Sequence, residues 1–344
     1  MRVAQLVRRH QFELTEGTIS DPGPGEVQVK VQSVGICGSD LHNFSEGSVG
    51  DMPSEYPMVL GHEPTGSVLK LGAGVTGWSP GDKALLEPAV YCYHCEFCRS
   101  GHHNVCDDLR FLSQPGDPGY FRDYVNIPVE CLIPLPPGMD MDYATLFEPL
   151  AVVVHSMKVA AIKMGDVVAV YGAGPIGLMT VACLKLSGAS RVIAVEPVAA
   201  RRDLAKTAGA DVVIDPRSED PRAAVIEASG RGGVNVAIDC VTREGTLDHC
   251  LHVTRKTGHV VVTGIPPEPK VTLDYHVMRR KELHLFNVRR SNHDTETAVE
   301  LMKDHPDLFQ PIVTHTRPIE DIQAGFELAE AYADGVGKLV IRLD

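Results

Sequence analysis

Basic side chains are in short supply in this chain. Lysine and arginine number 32 against 45 aspartates and glutamates, a formal net charge of -13. Nucleic acid and anionic lipid both call for a basic face, so the balance argues against either as a partner. Long apolar runs are absent too, with nothing approaching the roughly 18 residues that span a bilayer. The opening Met1-Arg2-Val3-Ala4-Gln5-Leu6-Val7 leads into mixed polar sequence without the apolar centre of a secretion signal. Internal repeats and low-complexity tracts are missing, which leaves no sign of a repeat array. The expectation is a soluble, cytoplasmic protein.

What is present fits an enzyme of two domains. The 344 residues are 44% hydrophobic, enough for two cores on a prior of about 100–200 residues per domain. Nine cysteines occur, and four of them follow the spacing Cys92-x-x-Cys95-x-x-Cys98-x7-Cys106. Tight spacing of this kind indicates metal binding in a reducing compartment rather than disulfides. Four thiolates close a tetrahedral structural zinc site. The segment Cys92–Cys106 carries few Lys or Arg, against a zinc-finger role, and such a metal would tie down the lobe 88–110, which has little core of its own. Cys131, Cys183, Cys240 and Cys250 read as ordinary core or surface thiols.

The first 150 or so residues alternate short β-like runs with Gly and Pro turns. Glu26–Gln32 has the period of a half-buried strand, Pro22-Gly23-Pro24-Gly25 is a turn, and Gly66–Lys70 is a further strand. This pattern predicts a partly open β-barrel-like domain. From about Asp166 the rhythm changes. Strands are expected at Val167–Tyr171, Arg191–Val195, Asp211–Ile214, Asn235–Ile238, His259–Val262 and Leu283–Phe286. Helices are expected at Ile176–Leu186, Arg201–Ala208 and Gly245–Val253. Alternation of this length implies an α/β fold, a doubly wound parallel sheet with helices on both faces. A helix over Asp294–Lys303 and a strand over Lys338–Ile341 then return to the first domain. The division expected is 1–150 with 290–344, and 151–289.

Two constellations carry chemistry. Cys37, the turn Gly61-His62-Glu63, and Glu148 supply the side-chain types that hold zinc while one position stays open for water or substrate. Cys37-Gly38-Ser39-Asp40-Leu41-His42 reads as a turn-rich segment in which Ser39 and His42 could relay a proton to solvent, with Asp40 a turn or supporting group. His155, seven residues after Glu148, is given a packing role. Gly172-Ala173-Gly174-Pro175-Ile176-Gly177, between a strand and a helix, is the phosphate-cradling pattern of a dinucleotide fold. Glu196 ends the next strand, where an acidic side chain accepts ribose hydroxyls and repels a 2′-phosphate, favouring NAD over NADP. Arg201 nearby could accommodate that phosphate, stack on adenine, or be a solvated charge. An open metal, a closed metal and a nicotinamide site together point to zinc-dependent hydride transfer from an alcohol.

Gly35-Ile36-Cys37-Gly38-Ser39-Asp40-Leu41-His42, Pro57–Glu63, Gly81-Asp82-Lys83 and Phe147-Glu148-Pro149-Leu150-Ala151 resemble patterns of the zinc-containing medium-chain dehydrogenase/reductase superfamily, within it the sorbitol and xylitol dehydrogenase group. The resemblance covers essentially the whole chain. It implies a Rossmann domain plus a GroES-like catalytic domain, with Cys37 and His62 as zinc ligands and Glu63 and Glu148 sharing the remaining role. It adds Gly264 and Arg290 to the cofactor site, implies oxidation of a polyol's secondary hydroxyl, and implies a homo-oligomer, tetramer or dimer, with Leu283–Phe286 as a contact strand. Asn43 and Ser291 stand where polyol dehydrogenases tend to have tyrosines, so they are expected to line the substrate cleft with donors and acceptors. The rival within the enzymes is threonine 3-dehydrogenase or another secondary-alcohol dehydrogenase. Threonine dehydrogenases tend to have Asp-Pro-Phe-Gly where Glu148-Pro149-Leu150-Ala151 stands. The rival outside the enzymes is a silent zinc scaffold or redox sensor, against which the intact ligand set counts.

Overall fold

The computed structural model describes residues 1–243, 245–267 and 270–343, which divide into two compact units. The first comprises Met1–Glu148, Ala298–Asp304 and the chain from Val313 onward. Its seven-stranded sheet runs Leu132–Pro134, Lys83–Leu86, Glu63–Leu71, Glu26–Gly35, Lys338–Arg342, Val313–Pro318, and Tyr124–Pro128 also pairs with Glu26–Gly35. The central strand extends beyond the alternating Glu26–Gln32 run. Its last residues find a partner far along the chain, Val340 opposite Gly35 and Arg342 opposite Ser33. Beginning and end of the sequence thus share one core, in which Phe326 touches Phe12, Phe44 and Phe121 at ring separations of 4.6, 5.2 and 5.8 Å. Truncating such a buried ring to alanine costs about 3–5 kcal/mol.

The segment after Cys37 is a helix, Gly38–Ser45, and not the turn its Gly, Ser and Asp content suggests. Asp40 explains the difference. Its carboxylate reaches back to the Cys37 amide at 3.1 Å, satisfying one of the donors a helix start leaves unpaired.

The second unit comprises Pro149–Thr297 and His305–Ile312. Six parallel strands lie in the order Val212–Ile214, Arg191–Val195, Val167–Tyr171, Val234–Asp239, Thr254–Val262, His284–Asn287. In chain order this is 3-2-1-4-5-6, the Rossmann arrangement. Val167–Tyr171 is buried along its whole length, as a strand covered on both faces must be. Helices Pro175–Leu186, Ala199–Thr207 and Thr246–Val253 fall where periodicity places them. A further helix, Pro221–Ser229, has its own local signal, because Asp220 caps the Arg222 amide at 2.9 Å and proline takes the first turn. The chain leaves this unit later than residue 290. Residues up to Thr297 stay with it, and His305–Ile312 returns to it by packing on Pro175–Leu186.

Among the described residues no helix is long and apolar enough to cross a membrane.

Candidate active site

Helix Gly38–Ser45 and the turn before strand Glu63–Leu71 bring Cys37, His62 and Glu63 together in the first unit. One ligand atom from each lies within 4.8 Å of the others. His62 and Glu63 are buried and Cys37 is half-buried. His62 Nδ1 lies 3.4 Å from the Asp40 carboxylate, and that carboxylate is itself held by the Gly61 amide and the Ser113 hydroxyl at 3.3 and 3.1 Å. At 3.4 Å His62 and Asp40 pair by charge without hydrogen-bond geometry, and a carboxylate facing one ring nitrogen leaves the other for a metal. Burial alone would lower the His62 pKa, but Asp40 and Cys37 outweigh it and raise it well above the usual value. A metal entering this set therefore displaces a proton. One thiolate, one imidazole and one carboxylate make a donor set suited to zinc with a position left open.

Glu63 has a partner that sequence reasoning missed. Lys338, at the start of the last strand, is 2% exposed and donates to both Glu63 oxygens, at 2.6 Å to Oε1. The carboxylate crosses directly over Gly35, where any Cβ would sit 2.0 Å from Glu63 Oε2. No local pattern marks Lys338, since only the pairing of the last strand with Glu26–Gly35 brings it inward.

Glu148, in the first turn of helix Phe147–Ala160, is buried. Burial pushes its carboxyl up to about 7, with Glu63 and Glu87 adding to the rise and His62 and Lys338 opposing it. It is not among the three groups that converge on one point. The expected Ser39–His42 pair is not directly joined. Ser39 Oγ lies 3.4 Å from His62 Nε2, whereas His42 Nδ1 pairs with Glu46 at 2.9 Å. Asn43 also departs from expectation. It is buried, with its amide nitrogen on the Ser39 carbonyl and its oxygen on Ser54 Oγ, so it braces the helix rather than offering a donor outward. Ser291 is buried in the second unit. His155 lies 3.5 Å from the buried Asp294.

Cys92, Cys95, Cys98 and Cys106 converge within 4.8 Å, Cys95 capping the short helix Glu96–Arg99. Two of the sulfur–sulfur separations are 3.9 Å. Zinc–sulfur bonds of about 2.3 Å set the edge of a tetrahedron at about 3.8 Å. Backbone amides of Cys92, Cys95 and Cys98 point at the Cys106, Cys92 and Cys95 sulfurs at 3.3–3.5 Å. Amides of Cys98 and Asp107 draw the Cys95 thiol down to about 6, while burial pushes Cys98 up to about 12. The four residues fit a closed zinc site.

In the second unit the candidate cofactor residues follow the carboxyl ends of parallel strands, where a doubly wound sheet binds its ligand. Gly172 follows the first strand with φ +89°, and a Cβ on Gly177 would strike the Gly172 carbonyl at 1.9 Å, so helix and turn can meet only through glycine. Gly174 opens helix Pro175–Leu186, which includes Ile176, with no side-chain cap, leaving the first-turn amides for a phosphate. A Cβ at Gly174 would meet nothing nearer than Arg201 Nη1 at 3.8 Å, which puts a guanidinium beside the cradle. Glu196, 4% exposed, accepts from the Ala173 and Val198 amides at 2.7 and 2.8 Å. It therefore anchors the glycine turn, each oxygen keeping a lone pair for a ribose hydroxyl. Gly264 packs against Val241 and Thr242, and Arg290 follows the last strand with φ +54°.

Comparison with known proteins agrees with both halves. Residues 23–137 match the model for the alcohol dehydrogenase GroES-like domain, and 175–304 the model for zinc-binding dehydrogenases. The chain is 34% identical to sorbitol dehydrogenase of Gallus gallus over 98% of its length and 95% of the relative's. It resembles a solved protein from Sinorhizobium meliloti 1021, assigned as a zinc-binding dehydrogenase and bound to NADP, with TM-score 0.91, 28% identity and 99% of each chain covered. It also resembles a short chain alcohol dehydrogenase from E. coli CFT073 complexed with NADH, with TM-score 0.90 and 27% identity, covering 100% of this chain and 99% of that one.

Proposed function

The chain belongs to the zinc-containing medium-chain dehydrogenase/reductase superfamily, and from that premise we propose that it oxidises a secondary hydroxyl of a polyol to the ketose with NAD. The single observation that carries the reading is the convergence of Cys37, His62 and Glu63, with the buried Glu148 near enough to interact with the charges of His62 and Glu63. This polar, anionic set of side chains suits a hydroxylated chain better than a hydrocarbon tail, and the 34% identity to a sorbitol dehydrogenase agrees with it. Bound zinc would polarise the hydroxyl as a Lewis acid while nicotinamide takes the hydride.

The chain's own residues have distinct tasks. Cys37, His62 and Glu63 hold the metal, Asp40 orients His62, and Lys338 fixes Glu63. Glu148, with its carboxyl near 7, is poised to accept or return a proton beside the site. Ser39 lies against His62, and His42, three residues on along the helix, pairs with Glu46, so a water must join Ser39 to His42 if the two relay a proton. Cys92, Cys95, Cys98 and Cys106 hold the second zinc. Gly172, Gly174, Pro175, Ile176 and Gly177 seat the dinucleotide, and Glu196 favours NAD over NADP. All nine cysteines are free thiols, in keeping with a cytoplasmic enzyme. Strand His284–Asn287 ends its sheet with an open edge, the side on which a dimer or tetramer would add strands.

Product analysis tests the reading. A ketose formed in equal amount with NADH supports it, and an aldose would mean attack at a primary carbon.

A further inference from the structure

The four-cysteine cluster shares one of its ligands with a second set. Cys92, His94 and Asp108 bring a sulfur, an imidazole nitrogen and a carboxylate oxygen within 4.8 Å of one another. The two sets differ in access. Cys98 and Cys106 are buried, whereas His94 and Asp108 are exposed and Cys92 lies between them in accessibility. They also differ in chemistry. Four thiolates enclose a soft, water-free ion, while one thiolate with an imidazole and a carboxylate accepts an ion that still carries water.

A hydrated zinc ion cannot enter a four-sulfur nest in one step, because water must leave and a thiol must lose its proton as each bond forms. We propose that Cys92, His94 and Asp108 form a loading site that captures zinc from solvent and passes it to Cys95, Cys98 and Cys106, with Cys92 bound throughout. Cys92 releases its proton on capture. In the transfer, His94, Asp108 and the remaining water leave the ion as three thiolates join it. Protons still carried by those thiols go to solvent, and the metal stays Zn²⁺ with no change of oxidation state. The proposal rests on the four cysteines being a zinc site.

The test reloads the metal-depleted full-length chain with cobalt(II). Sulfur-to-cobalt charge-transfer absorption grows with the number of thiolates on the ion, which separates this site from the one at Cys37. Release into a chelator is followed in the same way. The variant carrying His94→Ala and Asp108→Ala is expected to load roughly tenfold more slowly and to release more slowly by the same factor. Final cobalt content and equilibrium affinity should be unchanged, because removing a way-station slows both directions equally. An unchanged loading rate would overturn the proposal. So would a loss of affinity with normal loading, which would make the two residues static supports. A wild-type chain that never develops the four-thiolate absorption would instead remove the zinc reading of the cluster itself.

Discussion

Lys338 Nζ lies 2.6 Å from Oε1 of Glu63 and 3.0 Å from the Ile36 carbonyl, with both side chains sealed from solvent. The ammonium holds the Glu63 carboxylate in place, and that carboxylate raises the Lys338 pKa against the lowering that burial imposes. Removing one partner of such a pair strands the other charge at a cost of about 3–5 kcal/mol. Lys338→Met should therefore destabilise the chain by that amount in denaturant unfolding at neutral pH. Adding Glu63→Gln should restore most of the loss. Equal stability of wild type and the single variant would show that the pair contributes nothing.

Metal content separates the two cysteine clusters. Two zinc ions per chain are expected, one exchangeable and one held tightly. Cys37→Ala should lose the exchangeable ion and turnover while the fold persists. Cys98→Ala should lose the other ion, with lower stability or solubility, because the lobe has little core beyond its metal. One zinc per chain in a fully active preparation would contradict this.

The parts legible in sequence are those set by short-range pattern. Strands Val167–Tyr171 and Arg191–Val195 have the expected bounds, because a buried parallel strand is a continuous apolar run. The clustering of Cys92, Cys95, Cys98 and Cys106 is likewise written in spacing. Helix Gly38–Ser45 was hidden because its residues favour turns and only the Asp40 cap tips them. Lys338 and Asn43 are hard to read from sequence for a different reason. A lysine that begins a strand reads as exposed, and an asparagine beside a histidine reads as available, until distant segments bury them. Asn43→Tyr should break the Ser39 and Ser54 bonds and destabilise the helix, lowering stability in denaturant unfolding.

Glu148 should make stability depend on pH. Its carboxyl rises from the ordinary 4.5 to about 7 in the fold, so the folded chain binds this proton more tightly than the unfolded one. The contribution is complete below 4.5 and is lost as pH rises through 7, on the order of 3 kcal/mol. In protein stripped of the exchangeable metal, Glu148→Gln should flatten this slope between pH 4.5 and about pH 7 in denaturant unfolding, the interval the shift spans. A slope that survives in the variant would assign it to another group.

Cofactor choice should follow Glu196. Replacing it with alanine removes an acceptor for the ribose and the anchor of the Ala173 amide. It should erode the preference for NAD over NADP by on the order of 1.5–3 kcal/mol. The ratio of kcat/KM for the two cofactors reads this directly. Better turnover of wild type with NADP would give Arg201 the phosphate and withdraw the claim.

The most direct measurement is a set of specificity constants for sorbitol, xylitol, ribitol, the arabinitols, threonine and ethanol, taken with NAD at one pH. Ethanol leaves the polar groups around Glu63 and Glu148 unpaired in a dehydrated site, a penalty such sites impose strongly. The expected ranking places at least one sugar alcohol above threonine, and ethanol last. Ethanol or threonine ranked above every sugar alcohol would contradict the assignment, leaving only the zinc- and NAD-dependent reaction.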